Sequence, residues 1–103
     1  SGTLDDQGTV LGNVTIDVAT ADIHKIETAG DITDFNITNA PVGTRLKIIV
    51  KQGSTTGALT GSTDFLWAGG SKTLSTSTGD IDIINITYDG TNYFAELDKG
   101  YVA

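Results

Sequence analysis

Cysteine and methionine are absent from these 103 residues, and proline and histidine occur once each. Without cysteine there are no disulfides and no thiolate metal sites. A domain this small must then rely on its core, a metal or an oligomer. A lone histidine leaves little for a nucleophile–base pair. His24 lies in a predicted strand beside Lys25 and reads as a surface or interface residue. No GxGxxG or Walker-type phosphate cradle occurs; Gly69-Gly70-Ser71-Lys72 lacks the spacing and reads as a turn. No run approaches the ~18 apolar residues of a membrane span, and no N-terminal segment resembles a signal peptide. Basic residues are scarce, six against thirteen acidic, for a net charge of -7. That balance argues against nucleic acid and anionic membranes, which require cationic surface. Hydrophobic residues make up 38% of the chain, slightly below the usual share. The deficit implies a thin core or one completed by partner chains. The chain reads as non-enzymatic and without a cofactor.

What is present is glycine, threonine and β-branched residues in short runs. Residues 1–9 read as an entry linker or arm, with Ser1-Gly2 as a cloning remnant of a longer chain, and residues 10–103 as one domain. Val14, Ile16 and Val18 alternate with Thr15 and Asp17, the period-two signature of a half-buried strand. Further strands are predicted over 23–28 and 32–38. Over 45–52, Leu46, Ile48 and Val50 line one face, and Arg45, Lys47, Ile49 and Lys51 the other. That second face is either solvent-facing with edge-protecting lysines or a place where Ile49 meets another subunit. Residues 53–62 read as an ordered but mobile loop. Short strands follow at 65–67 and 72–77, then a hairpin pairing 81–88 with 92–97 across Asp89-Gly90. Seven to eight short antiparallel strands at intervals of about 8–12 residues predict a small β-sandwich, jelly-roll-like.

Candidate sites are few. Trp67, Asn92, Tyr93 and Tyr101 supply the flat aromatic faces and polar groups that hold a sugar or protein receptor, with a core role as the alternative for Trp67. Asp80 and Asp82 are two apart, on one face of a predicted strand, and could offer hard oxygen ligands to calcium. The alternative for both is turn capping.

In order along the chain stand Gly12-Asn-Val-Thr-Ile-Asp17, Ile32-Thr-Asp-Phe-Asn-Ile-Thr-Asn39 before a Pro/Gly loop, and Lys47-Ile-Ile-Val-Lys-Gln-Gly53. Trp67-Ala-Gly-Gly70 and the Asp80–Leu97 hairpin with its Tyr-Asp-Gly turn follow. This succession, covering residues 10–97, resembles a recurrent C-terminal domain of tailed-bacteriophage tail-fibre, head-fibre and related virion proteins. Ala68 stands where that family usually has proline, and the 53–62 loop is Thr/Gly-rich where a charged turn is usual. The resemblance implies a small β-sandwich on the exterior of a phage particle. It implies a homotrimer in contact with other virion proteins and with host surface polysaccharide or protein. Contact would come from loops 39–44, 53–63 and 89–92. Ile26 and Ile49, on the wrong faces for a monomer core, are the expected subunit-interface residues. Two alternatives are a capsid decoration module without a receptor and a monomeric carbohydrate-binding module of a bacterial protein.

Overall fold

The computed structural model describes residues 2–103; the remnant assigned to Ser1 lies outside them. Six strands follow in chain order: β1 Leu4–Asp17, β2 Ile23–Thr38, β3 Arg45–Lys51, β4 Leu66–Trp67, β5 Ile81–Tyr88 and β6 Tyr93–Asp98. They form one mixed sheet in the order β1-β2-β3-β5-β6-β4. The chain is all-β as expected, but its strands are fewer and two are far longer. Three of the five neighbour pairs (β1–β2, β2–β3 and β4–β6) are parallel, where antiparallel pairing was expected. Among the described residues no helix is long and apolar enough to cross a membrane.

Length and connection explain the parallel pairs. A straight strand of 14 residues like β1 would span about 46 Å at the usual rise, against a longest molecular extent of 36 Å. β1 and β2 are joined by residues 18–22 alone, whereas a flat parallel pair needs a crossover of a dozen or more residues. Both facts are met if each long strand folds over. β1 breaks register with β2 between Asp6 and Thr9 and around Gly12, which is where it turns. The coil then closes on itself: Asp22 N donates to Thr3 Oγ1 and Ile23 N to Thr3 O, each at 3.3 Å. Leu4 pairs with Ile23 and Ile23 with Lys47, so successive coils stack as rungs.

Residues 53–62 lay a third rung on the second half of β2. Ile32 N donates to Ala58 O at 2.9 Å, and Thr60 N donates to Ile32 O at 2.8 Å. Three glycines allow the approach. A Cβ at Gly53, Gly57 or Gly61 would collide with the carbonyl oxygen of Thr28, Gly30 or Thr33 respectively. The segment expected to be an ordered but mobile loop is ordered, as a laid-down part of the wall. The arm assigned to 1–9 is likewise strand from Leu4 onward, and no strand forms over 72–77.

The bent sheet wraps its core. Ile16, Ile26, Ile32, Ile48 and Ile84 are wholly inaccessible, with Phe35 at 2%; each such side chain contributes about 1.5–3 kcal/mol on burial. In β3 the expected alternation holds, with Leu46, Ile48 and Val50 inside. In β2 the inward set is His24, Ile26 and Thr28. Ile26 thus belongs to the monomer core, and the assignment of Ile26 to a subunit interface is corrected. The register that sends Ile23 outward sends Ile26 inward, with no bulge between them.

Candidate functional site

Two ends and one face of the sheet remain to carry function. At one end the β5–β6 hairpin closes through Asp89. Its Oδ1 accepts from Thr91 N at 2.9 Å and Asn92 N at 2.7 Å, and these two amides hold the carboxyl below its ordinary pKa. The 39–44 loop packs against this turn: Gly43 N donates to Tyr88 O at 2.9 Å, and Val42, 75% exposed, abuts Gly90. Two of the three loops expected to form a contact tip therefore sit together, while 53–63 belongs to the wall.

Behind the turn runs an aromatic chain. Tyr88 and Tyr93 stack with centroids 4.2 Å apart, Phe65 lies 5.7 Å from Tyr93, and Trp67 lies 5.9 Å from Phe65. Burial, then the neighbouring Tyr88 and Asp64, push the Tyr93 hydroxyl above its ordinary pKa. Trp67 pairs in register with buried Ala95 and packs against the core, its Nε1 donating to Ser62 O at 3.0 Å. Trp67 is accordingly a half-buried residue at the core edge, the place of the core role weighed as the alternative to contact. Tyr93 is half-buried, and Asn92 is held in the turn.

Tyr101 lies elsewhere. Its N donates to Ile81 O at 2.9 Å, at the far end of β5, roughly 23 Å along the strand from Tyr88 at the usual rise. The four expected contacts therefore do not form one site. At that far end Asp82 is buried. Its Oδ2 accepts from Ser75 N at 2.7 Å, and its Oδ1 accepts from Ser75 Oγ at 2.8 Å and Gly100 N at 2.9 Å. Asp80 precedes the strand and accepts from Ser77 N at 2.9 Å. The two carboxylates are turned to separate structural tasks, so the shared face expected for them as calcium ligands is corrected. Among the described residues no three His, Cys, Asp or Glu side chains converge to hold a metal.

His24 is fully buried, contrary to the surface or interface place expected for it. Its Nε2 lies 2.9 Å from Ala21 O; a carbonyl only accepts, so Nε2 carries the proton. Nδ1 stands 3.4 Å from Asp5 Oδ2 without a hydrogen bond. With Ile48 and Ile84 buried beside it across the sheet, the ring has no room for a substrate.

The outer face of the sheet is what the sequence reading underestimated. Register places Arg45, Thr87, Phe94 and Leu66 in one row and Ile23, Lys47, Asn85 and Glu96 in the next. Lys25, Ile49, Ile83 and Asp98 form a third row. Ile49 lies half-buried on this face, directly beside Ile83. Phe94 is 44% and Leu66 49% exposed. Asn85 bridges strands by accepting from Lys47 Nζ and donating to Asp98 Oδ2 at 2.8 Å. The alternation of Ile81, Ile83, Asn85 and Thr87 with buried Asp82, Ile84 and Ile86 is the signal that could have drawn Ile83 into the candidate set.

No protein-family model, curated protein or solved structure matches this chain.

Proposed function

We propose that this chain is a structural domain on the exterior of a bacteriophage particle, the trimeric head of a fibre or spike that contacts the host surface. The observation that carries the reading is where the polar groups go. Asp82, Gln52 and His24 are buried and turned to holding the chain, and the accessible surface includes a broad sheet face and a small tip. A rigid wall with a loop tip presents surfaces rather than performing chemistry, and three weak tips on one rigid body gain avidity together. The motifs that resemble virion domains fall on structural parts of this wall. Gly12–Asp17 is the second half of β1, Gly53 begins the third rung, and Asp80–Leu97 is the hairpin. A likeness to the jelly-roll-like sandwich of that family forms part of this proposal.

The contact tip is the pair of loops at 41–44 and 89–92, with Val42 and Asn92 foremost. Fluorescently labelled domain applied to panels of bacterial cells tests it. Saturable labelling that Val42→Asp and Asn92→Ala each reduce supports a receptor-contacting head. Labelling that neither change reduces removes the tip. Absence of labelling across the panels contradicts receptor contact and leaves the capsid decoration role.

A further inference from the structure

We infer that the outer face of the sheet is the contact surface for a second copy of this chain, the β3 column of one copy lying against the β6 column of the next. The inference names the partner surface of the assembly proposed above and rests on that reading only for the number three.

The charge layout carries it. β3 sends Arg45, Lys47 and Lys51 outward, three of the six basic residues in the chain. β6 sends out Glu96 and Asp98. Between them β5 contributes Ile81, Ile83, Asn85 and Thr87, with no charge, and Ile49 of β3 stands beside Ile83. Two strand spacings, about 10 Å, therefore separate a basic column from an acidic one across an apolar seam. At a net charge of -7, most approaches between copies are repulsive. This face balances the signs instead: Lys25 of β2 adds a fourth cation, and Asp6 and Glu27, in register with Lys25 and Lys51, join Glu96 and Asp98 as four acids. Pairing like column with like column is repulsive. Pairing β3 with β6 of a neighbour is attractive, and in a closed ring it places the isoleucine seam nearest the axis. Among the described residues each column is engaged within its own chain only in part. Asn85 stands between Lys47 and Asp98, and Lys51 meets Glu27 only across an exposed 3.8 Å. Four strands at ~4.8 Å and seven residues at ~3.3 Å give a patch of about 19 by 23 Å, a size that suits the weak end of specific interfaces.

Sedimentation of the purified chain at about 50 µM, a concentration that populates micromolar assemblies, tests the pairing. The wild type is expected as an oligomer that weakens as salt is raised. Arg45→Glu with Lys51→Glu is expected to weaken association at least tenfold, as is Glu96→Lys with Asp98→Lys. The four changes combined in one chain should restore it. Ile49→Asp should dissociate the assembly while the monomer keeps its thermal transition. A monomeric wild type, an unchanged mass in either reversal, or a four-site variant that stays monomeric overturns the β3–β6 contact. The readout needs neither host nor virion, so loss of cell labelling with an intact oligomer would count against the receptor reading alone.

Discussion

Gln52 uses every hydrogen-bonding group of its side chain. Oε1 accepts from Thr28 Oγ1 at 2.8 Å and Gly57 N at 2.9 Å, and Nε2 donates to Gly57 O at 2.7 Å and Ser75 O at 2.8 Å. Thr28 Oγ1 in turn accepts from Gly53 N at 2.9 Å. One buried amide thus ties β2, the third rung and the segment before β5. Gln52→Ala leaves several buried groups unpaired at once, so unfolding by denaturant should show a loss of about 2–4 kcal/mol. A loss below about 0.5 kcal/mol would mean that water replaces the amide without difficulty. Asp82 does similar work for the C-terminal segment, and Asp82→Ala should free the Gly100 amide to exchange quickly with solvent. The sequence marked both positions, Gln52 as part of a Gln-Gly strand end and Asp82 as a strand aspartate. It could not show their partners, which lie up to 24 residues away and come into reach only when the coils stack. Ile26 was misplaced for the same reason. Its facing depends on the register with β3, which the local pattern of β2 leaves open.

Among the elements, the β5–β6 hairpin was the most legible, because alternation and an Asp-Gly turn are both local signals. Its pH response follows from its ends. Asp89 is held below its ordinary pKa by two turn amides, and Asp17 is lowered first by the Asn39 side chain and then by Ala19 N. A depressed carboxyl stabilises the fold above its unfolded pKa, near 4, and that contribution disappears as pH falls through the folded value. Amide exchange at Thr91 and Asn92 should therefore accelerate below about pH 4; unchanged protection down to pH 2 would contradict it. Tyr93 behaves in the opposite sense. Its raised pKa favours the neutral folded form, so stability is full below pH ~10 and declines as pH rises through the folded value. Ultraviolet titration should show a late tyrosine ionisation, and Tyr93→Phe should remove that late step. The third rung was the least legible element. Residues 53–62 lack the β-branched alternation of a strand and are ordered by close backbone approach at Gly53, Gly57 and Gly61. Gly57→Ala or Gly61→Ala should each destabilise by about 2 kcal/mol or more, because backbone must shift to admit the methyl group. Wild-type stability in either variant would show that the rung is not packed this closely.

Taken as a whole molecule, the chain is a bent sheet that closes its core by coiling, with a broad face and a loop tip among its accessible surfaces. The all-β class, the strong strand β3 and the outward place of Ile49 were all legible from period-two patterning. The coiling was not, since parallel neighbours 18 or more residues apart leave no trace in a window of local sequence. The lean composition is explained in part by backbone stacking, which needs few large side chains; the proposed neighbour on the isoleucine face would account for the rest. Light scattering coupled to gel filtration tests the central claim most directly. The account predicts about 32 kDa, three times the 10.7 kDa chain, and a sharp fall to the single-chain mass in Ile49→Asp. A wild-type mass of 10.7 kDa at every concentration would contradict it.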